Sequence, residues 1–165
     1  MIIKKMRKFQ KPGKWMNIKR GYFDINKKRM FFRSKMEAGV ALYLDFLVKR
    51  KQIKSWSYEK NVFIFEKIKF GTRSYRPDFR IVNNDNSHED WEVKGWMNQS
   101  SKTKLRRFKK YYPEEFKNFK IIITDPFAQN KANGEVMAFL LDKLKMNIDN
   151  ILSYKEIANI AIAEV

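Results

Sequence analysis

The chain contains no cysteine and only one histidine, His88, among its 165 residues. The absence of cysteine excludes disulfides, thiolate catalysis and cysteine-ligated zinc. The single histidine excludes histidine-rich metal sites and most histidine-based catalytic triads. No apolar run approaches the roughly 18 residues of a transmembrane helix, and the lysine-rich start lacks an apolar signal core. We therefore expect a soluble, cytoplasmic protein that has neither a signal peptide nor a membrane partner.

Acidic residues are scarce relative to basic ones. The chain has 18 Asp and Glu residues against 36 Lys and Arg residues, which gives a formal charge of +18. Self-repulsion of this size opposes compactness, so the charge indicates a polyanionic partner. Among polyanions, DNA or RNA ranks first and an anionic membrane surface second, and the partner that we predict is DNA, with no membrane. The length is typical of one domain.

Residues 1–31 are rich in basic and aromatic side chains, with Asp24 as their only acid. This composition is typical either of a loosely ordered tail or of an arm that lies along phosphates or packs on a partner subunit. Ser34 and Glu37 then have the Ser-x-x-Glu spacing of a capping box, which predicts a helix from Ser34 to about Lys51. Glu37 has two compatible interpretations, as the cap of its own helix and as an acid that faces a site.

The remaining pattern predicts an α/β (α+β) fold with a central mixed sheet flanked by helices. One or two strands are expected within residues 53–70, and a turn over Gly71–Ser74. Strand, helix and strand in succession predict a crossover connection. The predicted strands are Tyr75–Val82, Asp90–Trp96 and Phe119–Thr124, and the predicted helices are Lys102–Tyr112, ended by Pro113, Glu135–Met146 and Ser153–Ala163.

The stretch from Tyr75 to Trp96 contains the residues that point most clearly to chemistry. Alternate residues of a strand share a face, so Glu92 and Lys94 lie side by side, while Trp91 and Val93 face the other way. The interval between Asp78 and Glu92 is long enough for an antiparallel hairpin with a polar turn. Asp78 is therefore expected to lie close to Glu92 and Lys94.

Two carboxylates and one lysine around a point predict a site for a divalent cation. Mg²⁺ prefers oxygen ligands and commonly takes one or two protein carboxylates. The predicted metal ligands are Asp78, Glu92, the Val93 carbonyl and Glu37, with Mn²⁺ as a substitute ion and no organic cofactor. Lys94 can orient the attacking water, accept its proton or steady the developing charge. The predicted catalytic residues are thus Glu37, Asp78, Glu92 and Lys94.

The predicted helix Lys102–Tyr112 is rich in Lys and Arg, and its cations, together with two arginines beside the hairpin, are predicted to bind DNA. They are Arg73, Arg76, Lys102, Lys104, Arg106, Arg107, Lys109 and Lys110.

The joint order of these elements resembles the PD-(D/E)XK nuclease superfamily. Phe32–Glu37 resembles its helical acid, Tyr75–Phe79 its Pro-Asp element, and Glu92–Gly95 its Glu-x-Lys element. Together with Ser101–Lys104 and Tyr111–Pro113, the combination is similar to small phage-encoded endonucleases of the Holliday-junction resolvase type. The resemblance covers roughly residues 32–125, so the chain divides into a basic N-terminal arm (1–31), a nuclease core (32–125) and a C-terminal helical extension of the same domain (126–165).

That resemblance implies a restriction-endonuclease-like core and Mg²⁺-dependent hydrolysis that leaves 5′-phosphates. It also implies a homodimer whose two sites cut opposing strands of a four-way or otherwise branched DNA in the host cytoplasm. Some such resolvases carry a further acid after the first helix, and Glu59 is near that place, although the spacing is longer here.

Two alternatives stay open. One is a sequence-specific, mismatch-directed or transposon-end nuclease with the same core. The other is a non-catalytic basic DNA-binding module, because Pro-Asp pairs are common in turns and Glu-x-Lys pairs are common on exposed strands.

Overall fold

Nine strands and five α-helices make up the computed structural model, which describes the backbone of residues 20–163. The strands are β1 (Gly21–Ile25), β2 (Lys28–Phe32), β3 (Ser55–Tyr58), β4 (Phe63–Ile64), β5 (Ser74–Tyr75), β6 (Phe79–Val82), β7 (His88–Lys94), β8 (Lys120–Ile123) and β9 (Ile151–Ser153). The helices are α1 (Lys35–Lys49), α2 (Gln99–Tyr111), α3 (Pro113–Lys117), α4 (Lys131–Ala138) and α5 (Tyr154–Ala163), with a π turn at Phe139–Lys143 and a 3₁₀ turn at Ile148–Asn150.

The central sheet has five strands in the order β3-β6-β7-β8-β9. β3, β6 and β7 pair antiparallel, whereas β7, β8 and β9 run parallel. The connection from β7 through α2 and α3 to β8 is the crossover that parallel strands require. The predicted mixed α/β architecture with a central mixed sheet is therefore confirmed, and the sheet has five strands.

Each face of the sheet is covered by its own apolar cluster. Alternation along β8 sends Ile121 and Ile123 to one face and Ile122 to the other. The first face packs against α2, α3 and the π turn through residues such as Leu105 and Phe108. The second packs against α1, α5 and the β1–β2 hairpin. The result is three layers, with the sheet between two layers made mostly of helices.

The helix predicted from the capping box is confirmed as α1. Ser34 is its N-cap, and its hydroxyl accepts a hydrogen bond from the Glu37 backbone N–H at 3.1 Å. The predicted basic helix is confirmed as α2. It begins three residues earlier than expected, because the Asn98 side chain caps it by accepting from the Ser101 N–H at 2.8 Å.

Several local predictions are corrected. The single strand predicted over Tyr75–Val82 is two strands, because Pro77 lacks the N–H that a continuous ladder needs. β5 pairs with β4 in a small separate sheet, and only β6 joins the central one. Pro113 ends α2 as predicted, but it also begins α3, since proline is tolerated at the first helical position.

Two further strand regions were not predicted. Residues 21–32 form the β1–β2 hairpin around a turn at Asn26 and Lys27, and the boundary predicted at residue 31 falls inside β2. Residues 1–19 of the predicted arm lie outside the described residues. In the C-terminal extension, β9 adds an edge strand to the central sheet, and the helix predicted at Glu135–Met146 is α4 followed by the π turn.

Across residues 20–163, no helix combines the length and the apolar character needed to cross a bilayer.

Candidate active site

The β6–β7 hairpin brings Asp78 beside Glu92 and Lys94. Phe79 pairs with Trp91 in the antiparallel ladder, so the residue before β6 comes next to Glu92. Asp78 is held there because its Oδ2 accepts a hydrogen bond from the Val93 backbone N–H at 2.7 Å. Its other oxygen, Oδ1, accepts no hydrogen bond from residues 20–163. The predicted convergence of these residues is therefore present in the structure.

Glu92 lies on the inner side of this arrangement and is only 3% exposed. Its Oε1 forms an ion pair with Lys94 Nζ, and its Oε2 accepts a hydrogen bond from the Tyr75 hydroxyl at 2.7 Å. Trp91 and Val93 pack in the cluster on the other face of the sheet, as the strand alternation predicts. The carboxylate is thus fixed in position by two side chains that come from different strands.

The close packing of acids changes the proton affinity of Asp78 and Lys94. Burial raises the pKa of the Asp78 carboxyl well above its ordinary value, and the negative charges of Glu92 and Glu37 raise it further. Burial by itself lowers the pKa of Lys94, but the charge and hydrogen bond of Glu92, with the charges of Asp78 and Glu37, outweigh burial and raise it. Lys94 therefore remains a cation at neutral pH.

Glu37 lies at the edge of this group and is bound mainly within its own helix start. Its Oε2 accepts hydrogen bonds from the Arg33 backbone N–H at 3.0 Å and from the Tyr58 hydroxyl at 2.5 Å. Its Oε1 accepts from the Ser34 hydroxyl at 2.9 Å. Glu37 is thus confirmed as part of the capping box of α1, and its charge raises the pKa of Asp78, but it is not among the residues that line the cleft described below.

A cleft of about 270 Å³ opens onto the Asp78 side of the hairpin. Its lining comes from β5, β7 and α2 and from the loops next to them. The lining residues are Arg33, Glu59, Val62, Ser74, Tyr75, Arg76, Asp78, Glu92, Lys94, Ser101, Lys104 and Leu105. Glu59 thus joins Asp78 and Glu92 on the cleft, at the end of β3, where its side chain pairs with Arg33.

The cations predicted to bind DNA differ in exposure and in the groups that they contact. Arg73, Arg76, Lys104, Arg106 and Lys110 are exposed, and Arg76 and Lys104 line the cleft. Arg107 and Lys109 instead donate to backbone carbonyls, those of Thr72 and Leu144, so they also join α2 to neighbouring segments. Lys102 and Arg106 lie over the ring of Phe139.

The donor set fits a hard divalent cation. Asp78 and Glu92 supply carboxylate oxygens, and Asp78 Oδ1 has no hydrogen-bond donor within residues 20–163. Burial raises the pKa of Asp78 most, and the charges of Glu92 and Glu37, which a cation would offset, raise it further. Within the described part of the chain, no three acidic or histidine side chains lie close enough together to enclose a metal ion. The fit therefore rests on two carboxylates, with the Val93 carbonyl and Glu37 as predicted additions.

Arg33 and Tyr58 were not among the predicted site residues. Arg33 precedes the N-cap Ser34 and Tyr58 precedes Glu59, so both stand next to residues that the sequence patterns do single out. Comparison of the chain with models of known protein families, with curated proteins and with solved structures finds no match.

Proposed function

We propose that the chain is a metal-dependent DNA endonuclease with a restriction-endonuclease-like core of the PD-(D/E)XK type. The observation that carries the proposal is the convergence of Asp78, Glu92 and Lys94 at one cleft. The five-stranded mixed sheet that holds them, with helices on both faces, is compatible with that core. The formal charge of +18 supports a nucleic acid as the substrate.

Two carboxylates hold the cation in this proposal. Asp78 and Glu92 are its protein ligands, with the Val93 carbonyl and Glu37 beside them. A bound Mg²⁺ supplies Lewis-acid chemistry, in that it lowers the pKa of water and offsets charge on phosphoryl oxygens. Tyr75 keeps Glu92 in place through its hydroxyl, because Glu92 Oε2 accepts that hydrogen bond in a position closed to solvent.

Lys94 acts as a fixed positive charge. Its side chain is 26% exposed at the cleft, and in the metal-free chain the charge and hydrogen bond of Glu92 outweigh burial and raise its pKa. The roles proposed for Lys94 are those predicted from the sequence: it orients the water, accepts its proton or steadies the developing charge. Its Nζ donates hydrogen bonds to oxygens on which negative charge develops during phosphodiester hydrolysis.

The substrate we propose is branched DNA, with the four-way junction as the leading case, cut by paired nicks that leave 5′-phosphates. A homodimer supplies the two sites that this reaction needs. The exposed cations Arg76, Lys104 and Arg106 bind phosphates on either side of the scissile bond.

A cleavage assay tests the proposal directly. Purified full-length chain is incubated with a synthetic four-way junction and with a linear duplex of the same sequence, in Mg²⁺, in Mn²⁺ and in EDTA. We expect metal-dependent nicking of the junction, loss of nicking with Asp78→Asn, and DNA affinity close to wild type for that variant. No nicking of either DNA in either metal refutes the enzyme.

The same assay separates the alternatives. Equal cutting of junction and duplex refutes branch selectivity, and a fixed cleavage sequence on long duplexes indicates a sequence-specific nuclease. Binding without cutting, sensitive to Arg106→Ala but not to Lys94→Ala, indicates a DNA-binding module whose buried acids are merely ion-paired.

A further inference from the structure

Arg33 and Glu59 form an ion pair on the wall of the cleft. Arg33 Nη2 lies 3.1 Å from Glu59 Oε1, and both residues line the cleft together with Asp78 and Glu92. The Arg33 side chain is 66% exposed, whereas that of Glu59 is 21% exposed. An exposed guanidinium is thus held at the cleft by a carboxylate that is itself largely covered.

Arg33 is fixed at its backbone as well as at its side chain. Its N–H donates to Glu37 Oε2 at 3.0 Å, which ties it to the start of α1. A guanidinium has five N–H donors in a planar fork, so the contact with Glu59 leaves donors free for a second oxyanion. A guanidinium that is already held in position loses less side-chain entropy when it binds a phosphate than an unrestrained lysine side chain does.

Glu59 is held in an uncommon backbone conformation. Its φ is 49°, in the left-handed region that residues other than glycine seldom adopt. Its N–H donates to the carbonyl oxygen of Asp78 at 2.8 Å, so the residue that holds Arg33 is bonded directly to the backbone of a predicted metal ligand. Strained conformations of this kind persist where the surrounding structure enforces them, and they cluster at functional sites.

We propose that Arg33 binds a DNA phosphate next to the scissile one, and that Glu59 is the positioning residue that holds the Arg33 guanidinium in place. This inference rests on the proposed function, since it takes DNA as the ligand of the cleft. Lys104 reaches the same cleft from α2, the helix on the opposite face of the sheet from α1. A DNA strand bound in the cleft would therefore contact cations from both sides of the sheet, Arg33 next to α1 and Lys104 on α2.

A simple surface ion pair predicts a different result for Glu59. Such pairs add little to stability, and removal of an acid from a DNA-binding surface reduces repulsion and tightens binding. A positioning role predicts the opposite sign, because without Glu59 the guanidinium loses its fixed place. The sign of the effect of Glu59→Gln on DNA affinity therefore separates the two explanations.

Fluorescence anisotropy with a labelled four-way junction measures this effect. Binding is followed in EDTA over a range of salt concentrations for wild type, Arg33→Ala, Glu59→Gln and the double variant. The logarithm of the association constant falls linearly with the logarithm of the salt concentration, and loss of one phosphate contact makes this slope shallower by about 0.9. The ratio of the Arg33→Ala and wild-type dissociation constants should therefore grow about eightfold for each tenfold reduction in salt. We expect Glu59→Gln to weaken binding in the same direction, and the double variant to bind no more weakly than Arg33→Ala.

A matched control is the ion pair of Lys117 and Glu114 on α3, whose side chains are 2.7 Å apart and do not line the cleft. Lys117→Ala and Glu114→Gln remove the same charges, and we expect neither to reproduce the changes at Arg33 and Glu59. If Lys117→Ala lowers affinity and salt slope as much as Arg33→Ala does, the effect is one of net charge and the phosphate contact is refuted. Tighter binding by Glu59→Gln refutes the positioning role.

Cleavage kinetics add a second readout. In Mg²⁺ we expect Arg33→Ala and Glu59→Gln to raise KM while kcat stays within about twofold of wild type, because uniform binding is lost. A fall in kcat for Glu59→Gln at unchanged KM makes Glu59 an acid of the reaction centre and overturns the positioning role. If the proposed nuclease function is wrong, the wild-type protein will not nick DNA. The anisotropy measurements in EDTA do not depend on cleavage, so they still test the roles of Arg33 and Glu59.

Discussion

Replacement of Asp78 by asparagine should stabilise the metal-free protein while it abolishes cleavage. Burial and the neighbouring charge of Glu92 raise the pKa of Asp78 well above its ordinary value, so its ionisation at neutral pH opposes folding. Asparagine removes that charge but keeps an oxygen that can accept the hydrogen bond from the Val93 N–H, which is 2.7 Å long in the wild type. A pKa difference of one unit corresponds to about 1.4 kcal/mol, and a chain of this length gains about 2–4 °C in Tm for each 1 kcal/mol. We therefore expect Tm to rise by a few degrees at pH 7.

The stabilisation should depend on pH with a definite sign. Between the unfolded-state pKa of Asp, about 3.9, and the raised pKa in the folded state, the folded protein binds more protons than the unfolded chain. The stability of wild type relative to Asp78→Asn therefore falls as pH rises through this window. Below a pH of about 3.9 the carboxyl is protonated in both states, so the difference between the two proteins should stop changing with pH.

Thermal unfolding of both proteins in EDTA, followed by circular dichroism at several pH values, checks this prediction. Asp85→Asn is the control, because hydrogen bonds from the Ser87 hydroxyl and N–H lower the pKa of this exposed carboxyl. Its replacement should change stability slightly in the opposite direction. A lower Tm for Asp78→Asn at pH 7, or a difference that does not vary with pH, would refute the reasoning.

Three further predictions concern the metal, the support of Glu92 and the packing of α5. Millimolar Mg²⁺ should raise the Tm of wild type in calorimetry and should not raise that of the double variant Asp78→Asn/Glu92→Gln. Tyr75→Phe should lower the free energy of unfolding in urea by about 1–3 kcal/mol, because Glu92 Oε2 loses its buried donor; no loss would show that solvent replaces the tyrosine. Gly39→Ala should destabilise the protein by about 1–2 kcal/mol in spite of better helix propensity, since the new Cβ overlaps the Tyr154 hydroxyl and lies 3.1 Å from Tyr154 Cζ. Tyr154→Phe should relieve part of that loss, because within the described structure this buried hydroxyl has no hydrogen-bond partner; an additive double-variant cycle would contradict the contact.

The central geometry of the site could be predicted because it depends on local rules. The interval between Asp78 and Glu92 and its polar turn specify a hairpin, and strand alternation puts Glu92 and Lys94 on one face. The helix that presents Glu37 follows from the Ser34 capping box. Each of these signals lies within about 20 residues of sequence, so tertiary packing had little opportunity to override it.

The remaining features depend on partners that are distant in the chain. β4 and β5 contain two residues each, and nothing in Ser74 and Tyr75 indicates that they pair with Phe63 and Ile64 rather than continue into β6. Arg107 is predicted to bind DNA because it is basic, and the sequence does not reveal that it also donates to the carbonyl of Thr72, which lies 35 residues away in the chain. Sequence patterns of single elements carry no information about such pairs.

Glu92 and Lys94 belong to β7, the middle strand of the sheet, which is hydrogen-bonded to β6 on one side and β8 on the other. The cleft walls are carried partly by two-residue strands and turns, which open at far lower free energy than a central strand. Amide exchange at β7 should accordingly require near-complete unfolding, while the walls exchange through small local fluctuations. The chain thereby combines a rigid central strand that carries Glu92 and Lys94 with a cleft wall that deforms more easily, so substitutions in the wall should leave the spacing of these two residues unchanged.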